Sequence, residues 1–175
     1  GTMQQPEVED PLFVDAAALY VEGGCAGCHG GDGGGGTGYA FSNGEVTATF
    51  PSPIDQMVHV ARGSTAINGE AYGDPDRPGG QRIAGGRGSG AMPAQLGVLS
   101  AVELELVVFH ERIVLGGDDP ETPENAAWIE SLREELESGN TDPIDLDALL
   151  ACADPAMTPG ATGGGEDCPG GGGEE

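Results

Sequence analysis

Cys25-Ala26-Gly27-Cys28-His29 is the part of this chain that leaves it least structural freedom. Two cysteines three apart, followed at once by histidine, form C-x-x-C-H, the attachment signature for haem c. At that spacing a tight turn lets each thiol form a thioether to one of two neighbouring vinyl groups. The adjacent imidazole then lies under the ring as the proximal iron ligand. Ala26 and Gly27 are small enough for the backbone to approach the porphyrin edge. Two other chemistries use such cysteines. A dithiol redox motif follows a strand in a βαβ pattern, which the sequence lacks, and structural zinc wants a second close pair of ligands. Cys152 and Cys168 are too far apart for that; their separation of 16 in a chain read as exported predicts a disulfide instead.

The rest of the chain reads as all-α. Asp10-Pro11, Ser52-Pro53, Thr122-Pro123 and Asp142-Pro143 each place a capping side chain before proline, which opens helices. These helices should run to Gly23-Gly24, Arg62-Gly63, Gly139 and Ala151. Ser100 and Glu103 form a capping box for a fifth, with Val102, Leu106, Phe109 and Ile113 in one stripe ending at Gly116-Gly117. Thr47 to Phe50 could give one short strand at most. Residues 29–46 and 63–97 are long glycine-rich loops, which a compact domain tolerates when a cofactor organises them.

The sixth position on a haem iron has several candidates: Met57, Met92, Met157, His59 and His110. Met57, His59 and His110 fall inside predicted helices, where packing or solvation is the commoner fate, and Met157 falls in the tail. Met92 sits in Gly88-Ser89-Gly90-Ala91-Met92-Pro93, a loop that can carry a thioether across the far face of the ring. Haem propionates want guanidinium donors, and Arg82 or Arg87 is expected to meet one.

These residues resemble the class I mono-haem cytochrome c family with His/Met ligation. More narrowly, the chain looks like the small actinobacterial cytochrome c domains associated with haem–copper oxidases. The resemblance spans roughly residues 12–116. It rests on the haem motif, Thr49-Phe50-Pro51, Tyr72-Gly73-Asp74-Pro75-Asp76-Arg77-Pro78-Gly79-Gly80, Met92-Pro93, and Leu99-Ser100 through Phe109-His110-Glu111-Arg112. It implies the cytochrome c fold, with its first and last helices crossing and one covalent haem c between them. It also implies Met92 as sixth ligand and attachment outside the cytoplasmic membrane. His110 departs from the pattern, which often has tyrosine there.

The expected division is a flexible segment at 1–10, a cytochrome c domain at 11–117, a helical extension at 118–152 and a low-complexity Gly/Glu-rich tail at 153–175, disordered from Thr158. Trp128, Leu132, Leu136, Ile144, Leu149 and Leu150 give the extension an apolar stripe expected to enlarge a small core.

Thirty acids against six arginines, with no lysine, give a formal charge of -24. Such a surface excludes nucleic acid and disfavours anionic membranes as partners. It suits a soluble protein and steering toward a basic redox partner. Four of the arginines lie between Arg62 and Met92, so the haem-edge loop should be the least negative face. No stretch reaches the roughly 18 apolar residues of a membrane span. The start lacks a basic and apolar leader, so the expectation is a mature or trimmed chain, exported to the periplasm or the outer face of the membrane. Any membrane link would come through a lost anchor or a partner complex. The expected function is single-electron carriage, with no enzymatic activity and no small-molecule substrate. Two alternatives are an electron-relay subunit of a larger respiratory complex and a five-coordinate haem enzyme or sensor.

Overall fold

The computed structural model describes residues 10–85, 91–165 and Cys168. The architecture is mostly helical: α1 (Pro11–Glu22), α2 (Cys25–His29), α3 (Glu45–Thr49), α4 (Pro53–Arg62), α5 (Ala101–Phe109), α6 (Pro123–Ser138) and α7 (Leu146–Cys152). A two-residue ribbon, β1 (Ala71–Tyr72) against β2 (Arg82–Ile83), is antiparallel and pins the long loop after α4.

The helix starts follow the cap chemistry. Asp10 accepts the Leu12 N–H, Ser52 accepts that of Ile54, and Thr122 accepts that of Asn125. Ser100 and Glu103 complete the reciprocal box at the head of α5. Beyond Phe109 the same helix widens into π turns over His110–Leu115. Such widening often accompanies a functional site, and it buries four consecutive residues, His110, Glu111, Arg112 and Ile113.

Three expectations need correction. Asp142-Pro143 does not open α7. The Asp142 carbonyl instead accepts the Ala101 N–H, Pro143 bridges Ser100, and Asp145 becomes the cap by accepting from Ala148 N. The candidate strand at Thr47–Phe50 lies largely in α3, which starts after the left-handed Gly44. Finally, residues 158–165 do not trail into disorder. The Asp55 carboxylate accepts from Thr158 Oγ1 (2.6 Å) and Asp154 N (3.0 Å), and the Thr162 and Gly165 amides cap the end of α7 at Leu150 O and Ala151 O. Hydrogen bonds rather than apolar burial hold this segment, so its composition hides its order. Cys152 and Cys168 are joined by a disulfide, as their spacing predicts.

α1 packs along α5, and α4 crosses between α5 and α7. Their shared core is largely aliphatic: Leu12, Ala16, Met57, Val58, Leu104, Leu106 and Val108, closed by Phe109, Trp128 and Leu132. The extension therefore belongs to the same core as the residues before it. A second, mostly aromatic cluster gathers Tyr20, Phe41, Phe50 and Tyr72 with Val46 and Ile67. A cavity lies between α2 on one side and α4 on the other.

Candidate functional site

The site begins with a helix forced to stop. Gly23 and Gly24 end α1, and Gly24 (φ +83°) turns the chain straight into α2, which consists of the C-x-x-C-H residues. Tyr20 donates a 2.6 Å hydrogen bond to Gly30 O, tying the end of α1 to the far end of the motif. The glycines that follow wrap back on it: Gly35 N donates to His29 O and Gly38 N to Cys28 O, both at 2.8 Å. Gly38 has no room for a side chain, because a Cβ there would lie 2.7 Å from the His29 ring.

His29 is held in one orientation. Its Nδ1 lies 2.7 Å from Tyr39 O, and its ring stacks on Phe41 with centroids 4.4 Å apart. A carbonyl partner makes Nδ1 the protonated nitrogen and leaves Nε2 with a free lone pair, the arrangement of a metal-binding histidine. Burial lowers the pKa of His29, which favours the neutral imidazole that ligation needs.

Met92 reaches the same cavity from the other side of the sequence. Its backbone is clamped at the end of α4: Met92 N donates to Ser64 Oγ (2.7 Å) and Ser64 N donates to Met92 O (3.0 Å). Gln95 N and Leu96 N then cap the free carbonyls of Val60 and Ala61. The approach requires glycine at position 63, where φ is +75° and a Cβ would sit 2.6 Å from Met92 O.

Cys25, Cys28, His29 and Met92 thus line one open cavity, with Tyr39, Phe41, Phe50, His59, Tyr72, Val107 and Arg82 in its wall. Both motif thiols are free. Burial pushes Cys25 up to about 12, whereas dithiol redox motifs depend on a depressed value. Among the described residues no group of three or more His, Cys, Asp or Glu is placed to hold a metal. A porphyrin iron asks for two protein ligands, not four.

Arg82 enters the cavity wall and lies 3.8 Å over the Tyr39 ring, with Nη2 3.4 Å from Glu45 Oε1, while Arg77 reaches the same carboxylate at 3.0 Å. The buried Arg82 Nε has no partner, a donor of the kind a propionate takes. Arg87, the other arginine predicted for that role, lies outside the described residues. His110 does not line the cavity: it is buried, and its ring packs 4.9 Å from that of Tyr20. Met57 is core, and Met157 accepts the Gly73 amide through its carbonyl.

Glu111 is the residue that reading the sequence did not single out, while His59, a ligand candidate set aside as helix packing, lines the cavity. His59 lies on the cavity side of α4, stacked 4.3 Å from Tyr72, and burial pushes it down to about 4, so it is neutral. Glu111 is buried in the π turns with Oε1 accepting from Gln56 Nε2 (2.8 Å) and Oε2 unpartnered. Gln56 also accepts from Arg112, which donates to the carbonyls of Phe50 and Pro51 and pairs with Asp118. A signal was there to find: His110-Glu111-Arg112 interrupts an otherwise apolar run from Leu106 to Leu115.

Protein-family models, curated proteins and solved structures were all compared with the chain. None matches. The function must therefore be argued from the site. Its apolar and aromatic wall, oriented neutral imidazole, nearby thioether loop, two free thiols and unpartnered guanidinium nitrogen fit a covalently attached haem.

Proposed function

We propose that this chain is a mono-haem c-type cytochrome that carries electrons singly between redox proteins. One observation carries the reading: the two cysteines and the histidine of the motif share a cavity with Met92, from a loop more than sixty residues away in sequence. Haem, when bound, supplies an iron that gains and loses one electron. Cys25 and Cys28 would hold it covalently, and His29 Nε2 and the Met92 thioether would be the axial ligands. A thioether opposite imidazole favours the reduced state relative to two histidines. Tyr39 fixes the imidazole, Ser64 fixes the methionine loop, and Phe41, Phe50 and Tyr72 exclude water. Arg82, whose Nε has no partner, would meet a propionate.

With His29 and Met92 both ligating the iron, the site would serve electron transfer and not bond-making on a substrate. Haem attachment of this type takes place outside the cytoplasmic membrane, which places the protein on the exported side. Among the described residues no helix is long and apolar enough to cross a membrane. An acidic body of charge -24 favours partners with a basic docking surface, drawn in by long-range attraction.

The decisive experiment is a reduced-minus-oxidised spectrum of protein matured with haem, with a pyridine haemochrome assay and an intact mass. One haem added to the chain mass and no carbon monoxide binding to the reduced protein are expected. Colourless protein with both motif thiols unmodified sinks the proposal. Coloured protein that binds carbon monoxide removes Met92 as ligand and turns the reading to a five-coordinate enzyme or sensor.

A further inference from the structure

Glu111 is a carboxyl group with no role in holding haem, yet it forms part of the cavity wall. It is 1% exposed, its Oε1 takes one hydrogen bond from Gln56, and its Oε2 is buried without any partner. A buried carboxylate with an empty acceptor is costly, whereas a protonated carboxyl there loses little. The groups facing it offer no compensating cation at contact distance. From α1 comes Tyr20 and from α2 comes Cys25, both held neutral by burial. α4 presents Gln56, with Asp55 turned to the tail and His59 neutral; α3 carries Glu45, engaged by Arg77 and Arg82. Arg112, next in sequence, spends its guanidinium on Gln56, backbone carbonyls and Asp118.

We infer that Glu111 is a redox-linked proton site, which takes up one proton when the haem is reduced and releases it when the haem is oxidised. The inference rests on the haem reading above. An electron entering an apolar cavity adds a negative charge beside a group that can neutralise it. The electron comes from a one-electron redox protein and the proton from bulk water. On reduction the Oε2–H bond forms and iron falls by one oxidation state; on oxidation the bond breaks and the proton returns to water. Gln56 tunes the site, since its N–H favours the ionised form of Glu111.

Potentiometric titration of the haem-loaded protein over a pH range bracketing about 8, the value to which burial pushes Glu111, tests this. The potential should fall as pH rises, by up to about 59 mV for each tenfold drop in proton concentration, the one-electron conversion. Glu111→Gln should abolish that slope, and Gln56→Leu should move it to higher pH. Redox-difference infrared spectra of the unmodified protein, which need no variant, should gain a protonated-carboxyl band on reduction. A pH-independent potential in the unmodified protein, or a slope that survives Glu111→Gln, overturns the inference and leaves the haem reading intact. Should Glu111→Gln fail to fold, a slope that Gln56→Leu leaves in place, or an absent carboxyl band, overturns it as well. Protein that matures without haem sinks the reading beneath both.

Discussion

The aliphatic and aromatic halves of this molecule are packed on different terms. The aliphatic half is complete in its own side chains: Leu12, Leu106, Phe109, Trp128 and Leu132 are all at most 2% exposed and close on one another. Phe109 meets Phe13 edge-on at 5.1 Å and Trp128 at 6.1 Å, and Trp128 finishes the layer by donating to Glu105 Oε1 at 2.9 Å. The aromatic half surrounds a cavity. Its rings pack on histidines, His29 on Phe41 and His59 on Tyr72, and it keeps unpartnered polar atoms at Glu111 and Arg82. Interiors normally approach crystal density with few voids. One half therefore needs nothing further, while the other leaves a cavity that the proposed haem would fill.

That contrast predicts where haem matters to stability. Trp128→Ala removes the largest fully buried side chain and strands the Glu105 carboxyl. It should cost about 3–5 kcal/mol, judged by urea unfolding. The loss should be the same in haem-loaded and haem-free protein, because nothing in this half waits for the cofactor. A loss confined to the loaded form would erase the distinction between the halves.

The next effect sits on the border between them. Cys152 and Cys168 enclose a loop of sequence separation 16 that straps the tail to α4 through Asp55. Replacing both by serine should cost about 3 kcal/mol by the chain-entropy argument. α4 carries core residues on one side and Gln56 and His59 on the other. Loosening it should therefore lower the haem-free midpoint and broaden the optical spectrum of the loaded protein together. A change in only one of these readouts would show that the strap serves a single half.

How much could be read from the sequence divides along the same line. Local chemistry was legible: Ser100 with Glu103, Asp10-Pro11 and Thr122-Pro123 start helices for reasons contained in a few adjacent residues. So were the candidate ligands, since C-x-x-C-H and the loop at Met92 are short patterns, and the structure brings them to one cavity. What escaped depends on contacts distant in sequence. Asp142 lost the cap of α7 to Asp145 because its carbonyl is taken by Ala101, 41 residues earlier. The segment around Thr158 is ordered by Asp55, from which no local pattern points to it. His59 reaches the cavity through helix phase and tertiary packing, neither of which a glycine-rich loop announces.

Gly38→Ala probes the aromatic half directly. The added methyl would meet the His29 ring at 2.7 Å, and the ring cannot retreat freely because Phe41 stacks on it and Tyr39 O holds Nδ1. Overpacking of this kind costs about 1–3 kcal/mol in a filled core. In the haem-free protein the ring can swing into the cavity, so the loss should be near the bottom of that range. In the loaded protein that space is taken, so the loss should be near the top and the axial-ligand bands should shift. Equal losses in the two forms would mean that the cavity is not the space the cofactor fills.

The smallest effect belongs to a contact remote from the cavity. Arg133 on α6 forms a two-pronged pair with Asp10 at the head of α1, at 2.7 and 2.6 Å, and both side chains are about one-third exposed, at 37% and 31%. Solvent screening limits such pairs to about 0.2–1 kcal/mol despite their geometry. The Asp10 pKa is lowered, first by the hydrogen bond to Arg133, so the contribution is present at neutral pH and fades as acid protonates the carboxyl. Arg133→Ala should therefore lower stability slightly at neutral pH, less in high salt, and hardly at all once Asp10 is protonated. Asp10 also caps α1 by accepting from Leu12 N, so Asp10→Asn keeps a capping oxygen while removing the charge. If Asp10→Asn cost as much in high salt as in low salt, the charge of the pair would not be what joins the start of α1 to the extension.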